Sequence, residues 1–267
     1  MSKEASEGFG AGIPVKKFMA IQDLVIPRGD DLIRGIRALK EERNAVVLAH
    51  YCQSGVVREL VDFEGDSLQL ARWVKETQAD MIVFFDFHFM AEVAKILQPS
   101  KKVVFPDLET EGFGADEASG DELRKAMAEY PDALVVASIS CDTERKAAAD
   151  VVVTGANAEA IIRTLPKERP IIFVSDKNWG RDLMEKTGRA MVLLEHCCVK
   201  RKRVDSERFN SVFEGGENHR ETEVVERLEQ LYLCMKYGFP EVVVEESLRL
   251  KALKPIEKML ELSEALR

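Results

Sequence analysis

The sequence predicts an α/β protein made of repeated three-layer αβα units with parallel sheets. From residue 44 onward, short β-branched runs alternate with segments whose apolar residues recur at helical spacing. The strand-like runs, such as "MIVFFDF" and "PIIFVSD", are apolar almost without a break, as expected of parallel strands covered by helices on both faces. Residues 46 to 107 also repeat in pattern as residues 135 to 195, so one unit is used twice.

Each segment then takes its place. Residues 1–43 form an N-terminal extension and a helix, and "MSKEASEGFGAGIPVKKF" contains no apolar signal core. A first unit, residues 44–132, carries strands at "AVVLAH", "MIVFFDF" and "KVVFPD", with helices at "DSLQLARWVKETQ", "FMAEVAKILQ" and "GDELRKAMAEY". A second unit, residues 133–200, carries strands at "ALVVASI", "DVVVTG", "PIIFVSD" and "AMVLLE" and helices at "NAEAIIRTL" and "GRDLMEKTG". Residues 201–267 are too few for a complete third copy. They begin with a polar linker and continue as a helix over 221–237, a strand "EVVVEE" and a last helix over 247–266, which Pro255 kinks or restarts.

Composition narrows the function. A net charge of -9 argues against a nucleic-acid or anionic-membrane partner, and no run approaches the roughly 18 apolar residues of a membrane span. A small-molecule substrate is the remaining class. With no export signal, the five cysteines (Cys52, Cys141, Cys197, Cys198 and Cys234) read as reduced thiols of a cytoplasmic protein, open to metal binding or catalysis.

In open parallel sheets, sites form where strands end and helices begin. "VVLAHYCQS" and "VVASISCDT" place Cys52 and Cys141 at equivalent strand ends, expected to face one shared cleft. Each cysteine reads as a thiolate ligand or as a small buried residue, and Cys52 also as a nucleophile activated by helix-terminal amides near His50. Ser67, Thr154 and Asn157 lie at strand-to-helix turns, where hydroxyl and amide groups beside free N–H donors bind anions. Asp86 and Asp176 read as helix caps and His88 as structural.

Several stretches, "LAHYCQ", "DFEGDSLQLAR", "FHFMAEVAKILQPSKKVVFPDLE", "EKTG" and "VVVEESLRLKALKPIEKMLEL", resemble quinolinate synthase, the iron–sulfur enzyme that condenses iminoaspartate with dihydroxyacetone phosphate. The resemblance implies three αβα units around a pseudo-threefold axis, here with the third reduced. It also implies a [4Fe-4S] cluster held by one cysteine per unit, with one iron open to substrate. His50 and Ser67 match substrate-contacting positions, and Cys52 stands where the family carries its catalytic tyrosine. The family's substrate-holding stretches become "SISC", with Ser138, Ser140 and Cys141, and "TGANA", with Thr154 and Asn157. Cys197 matches the second cluster cysteine, Phe113 stands in place of the first, and the third has no counterpart. The resulting expectation is a site rebuilt with Cys52, Cys141 and Cys197 as ligands and Cys52 and His50 in catalysis. Two alternatives are an iron–sulfur enzyme acting on another substrate and a cluster-free binding relative. A second subunit, or the N-terminal segment, is expected to close the side of the cleft that the reduced third unit leaves open.

Overall fold

The computed structural model describes residues 25–51, 55–85, 87–106, 117–194 and 217–266. Helix α1 (Asp30–Glu42) leads into β1 (Ala45–His50), α2 (Gly55–Leu60), β2 (Phe63–Gly65), α3 (Ser67–Glu76), β3 (Met81–Phe84), α4 (His88–Leu97) and β4 (Lys102–Val104). The second unit follows as α5 (Glu117–Glu129), β5 (Leu134–Ser138), α6 (Thr143–Ala147), β6 (Val151–Val153), α7 (Ala158–Thr164), β7 (Ile171–Val174), α8 (Lys177–Thr187) and β8 (Met191–Leu193). Two long helices close the described chain, α9 (Glu217–Tyr237) and α10 (Glu246–Ala265).

Both sheets are parallel, and their strand orders, β2-β1-β3-β4 and β6-β5-β7-β8, are the same topology used twice. One aspartate pins each copy. Asp62 accepts the N–H of Val47 at 2.7 Å, and Asp150 accepts that of Val135 at 2.8 Å. Aligned on this pair, the copies are offset by 88 residues (Val47 to Val135, Asp62 to Asp150), and the register that matches Leu48 with Phe63 also matches Val136 with Val151. The cysteine-based offset of 89 is therefore one residue out: sequence position 52 corresponds to Ser140, and Cys141 to position 53. Because strand side chains alternate between faces, that single step decides which way a side chain points.

Alternation along the strands builds the cores. In the first sheet Leu48, Ile82 and Phe84 face α3 and α4, while Val47, Ala49 and Val83 face α1 and α9. In the second, Val136 and Phe173 join the first unit's helices in one continuous core, while Val135, Ile172 and Val174 pack on α5. Helix α10 runs between the two units and adds Ala252, Ile256, Met259 and Leu260 to the shared core. Burial of each large apolar side chain there contributes about 1.5–3 kcal/mol. Polar contacts fix its ends. Arg249 donates to the Ile96 carbonyl at the end of α4, Arg72 donates to the Ser263 carbonyl, and Asn157 donates to the Ser263 hydroxyl.

Three expectations change. "EVVVEE" is not a strand: Glu241 makes one antiparallel bridge to Val104 at the sheet edge, and the Glu245 cap starts α10 too soon for more. Pro255 does not restart α10, because the helix runs unbroken from Glu246 to Ala265 with the proline buried inside it. The short strand β2 was missed because "FEG" is three residues long and lacks β-branched character. Among the described residues the chain after residue 200 contributes two helices and no third sheet.

Arg249→Ala strands the Ile96 carbonyl in a buried environment and is expected to cost about 1–3 kcal/mol, measured by urea unfolding. An unchanged midpoint would mean that α10 is held by its apolar face alone.

Candidate active site

The C-terminal edge of the first sheet carries a compact polar pair. β1 ends at His50, whose Nε2 lies 3.0 Å from the Ser67 hydroxyl at the first residue of α3. A capping box sets that serine. The Asp66 carboxylate accepts the N–H groups of Leu68 and Gln69, and the Gln69 side chain accepts the Asp66 N–H in return. The Tyr51 hydroxyl also donates to Gln69 Oε1 at 2.6 Å.

Aromatic rings from the start of α4 enclose the histidine. Phe87 meets the His50 ring edge-on at 5.1 Å, Phe89 lies 6.2 Å away, and the two phenylalanines stack at 5.5 Å. All three are only partly buried, so this wall borders an accessible edge of the sheet.

The second unit supplies hydroxyls. β5 ends at Ser138, whose hydroxyl lies 2.8 Å from that of Ser140 in the turn that leads to α6. Ser138 is buried and Ser140 exposed. The Asp142 carboxylate caps α6 by accepting the Arg145 N–H. Thr143 then crosses to the first unit and donates to Glu92 Oε2 at 3.1 Å. Glu92 Oε1 lies 3.7 Å from His88 Nδ1, and Lys146 Nζ lies 3.8 Å from Glu92 Oε2, too long for a hydrogen bond. Burial pushes the Lys146 ammonium below the ordinary lysine range, and the negative charge of Glu92 is the chief influence pulling it back.

The structure brings together only part of the expected set. His50 and Ser67 meet in the first unit, and Ser138 and Ser140 meet in the second. Thr154 and Asn157 are buried in the β6–α7 turn, where Asn157 Oδ1 accepts the Thr154 N–H at 2.6 Å and its Nδ2 binds Ser263. Their polar groups hold the turn to α10. Cys141 is buried on the α5 side of its sheet and donates its thiol hydrogen to the Val174 carbonyl at 3.2 Å. Cys234 sits in α9, where burial raises its thiol pKa far above the usual range. Asp176 caps α8 as expected, accepting two backbone N–H groups. Cys52, Asp86, Phe113, Cys197 and Cys198 lie outside the described residues.

Sequence reading missed Glu92, Phe89 and Lys146. Each sits in an ordinary helical pattern, and only the docking of α6 on α4 joins them into one cluster.

Comparison with known proteins decides the family. The model of the family "Quinolinate synthetase A protein" matches residues 34–227. A quinolinate synthase of Chloroherpeton thalassium is 37% identical over 305 aligned positions, which cover 87% of this chain and 95% of that protein. The chain belongs to the quinolinate synthase family. A relative from Nostoc sp. is 36% identical over 87% of this chain and 94% of its own length. A quinolinate synthase of Nostoc punctiforme is 48% identical over 169 residues, 63% of this chain. Since 87% of 267 residues is about 232, roughly 73 of the 305 positions aligned with the Chloroherpeton protein have no residue here. No helix among the described residues is long and apolar enough to cross a membrane.

Asn157→Ala breaks two buried hydrogen bonds and is expected to lower stability by about 1–3 kcal/mol in a urea titration. A variant of unchanged stability with weakened substrate binding would instead place this amide in the substrate site.

Proposed function

We propose that this chain catalyses a quinolinate-synthase-like condensation and dehydration of a small dicarboxylate-like substrate with a phosphate-bearing one, in the cleft between the two units. The observation that carries this reading is the His50–Ser67 pair, held at 3.0 Å on a sheet edge in a member of this family. Imidazole and hydroxyl together offer both donor and acceptor, so they can hold a carboxylate oxygen and pass a proton at Nε2. Ser138 and Ser140 add hydroxyls from the second unit. The phenylalanine wall excludes water from one side of His50, which strengthens its hydrogen bonds to an anionic substrate.

The family resemblance brings the expectation of a [4Fe-4S] cluster, which would supply an open iron as Lewis acid. The donors present among the described residues do not fit it. The Cys141 thiol is engaged by Val174, Cys234 is buried in α9 within the first unit's apolar core, and no group of three potential ligands occurs among these residues. No step is assigned to a cluster, and the ligand set Cys52, Cys141 and Cys197 stands as a proposal. For Cys141 to serve, it would have to lose both its thiol proton and the bond to Val174.

Protein purified without oxygen is assayed for iron, sulfide and quinolinate formed from iminoaspartate and dihydroxyacetone phosphate. His50→Ala, Cys52→Ala, Cys141→Ala and Cys197→Ala variants are assayed alongside it. The expected result is quinolinate from the parent protein and a loss of about 100-fold or more in His50→Ala, the scale of a lost acid–base group. Iron and sulfide lost in all three cysteine variants would support the rebuilt ligand set. No quinolinate from an oxygen-free parent preparation would reject the proposed reaction, and iron retained in Cys141→Ala would remove Cys141 from the ligands.

A further inference from the structure

Lys146 is fully buried, a state otherwise reached among the large side chains of the described residues by apolar ones. Its ammonium carries three N–H donors, none with a hydrogen-bond partner, and the carboxylate at 3.8 Å is a loose counter-charge. Burying an ammonium this way costs folding free energy that a well-packed methionine would not. Stability is therefore a poor account of the arrangement, and its position offers a better one.

The lysine belongs to α6, the short helix that directly follows the Ser138–Ser140 turn. Its counter-charge belongs to α4, one turn after His88 and Phe89. Glu92 also receives the Thr143 hydroxyl, so two residues of α6 converge on one carboxylate of the other unit. Lys146 Nζ also stands 6.0 Å from the centre of the Phe89 ring, which stacks on Phe87 and borders His50. A charge pair in a low-dielectric contact resists sliding of one helix along the other, whereas an apolar contact can slip and repack.

We propose that Lys146 and Glu92 are positioning residues that fix the hydroxyl-bearing turn of the second unit against the His50–Ser67 half of the site. The proposal rests on the reading of that cleft as the active site. Its consequence is that neutralising the pair leaves the fold intact but misplaces the two halves relative to each other.

The test is the double variant Glu92→Gln/Lys146→Met, which removes both charges while keeping an amide oxygen for Thr143, beside the single variant Lys146→Met. Melting temperature, quinolinate kinetics and the imidazole NMR signals are read together. With only four histidines in the chain, His50→Ala identifies the His50 signals by their loss. The expected result has three parts. The double variant and Lys146→Met both melt at or above the parent temperature. The kcat of the double variant falls about 10- to 100-fold with KM changed less than about threefold, the scale of a small misplacement of reacting groups. The His50 ring signals move. A double variant with parental kcat and unmoved His50 signals would overturn the proposal, as would one that fails to fold cooperatively, because the pair would then be structural. A parent that forms no quinolinate rejects the active-site reading on its own, and the His50 signals then decide the positioning claim: movement supports it and constancy overturns it.

Discussion

The docking of two αβα units through one helix is the constraint on which the rest of the molecule depends. Helix α10 lies between the sheets with Ile256, Met259 and Leu260 in a core common to both. Its ends are tied to the first unit by Arg249 and Arg72 and to the second by Asn157. An exposed helix would need only an amphipathic stripe. One wedged between two sheets must also satisfy the polar groups it covers, which is why a buried arginine, a buried asparagine and a buried serine mark its path.

Once the units are docked, the candidate site follows from local rules. Parallel strands end on the same side of each sheet, so His50 and Ser138 arrive on corresponding edges. The capping box of α3 aims Ser67 at His50, and the Asp142 cap of α6 sets Thr143 and Lys146 toward α4. The contact between α4 and α6 then joins the halves through Glu92. Each step uses ordinary helix and strand chemistry, and the site is specific because several such steps converge.

Much of this was legible in the sequence. The unbroken apolar runs gave the parallel sheets, and the repeat gave two copies of one topology. The motifs around His50 and Ser67 carried the family. Reading the repeat from its cysteines rather than from Asp62 and Asp150 introduced a one-residue error, and a thiol expected in the cleft is instead bonded to Val174 within the core. Asn157 looked like an anion-binding turn residue, yet its amide holds α10, a contact 106 residues distant that no local pattern encodes. Lys146 and Glu92 were invisible for the same reason, since the pair exists only across the docked units.

The central claim is that the two units and α10 form one cooperative body. Hydrogen exchange followed by mass spectrometry in low urea tests it most directly, by comparing peptides from β1–β4, β5–β8 and α10. The account predicts that the slowest amides of both sheets and of α10 open with one common free energy and the same urea dependence. Two sheets opening separately, with α10 following only one of them, would contradict it.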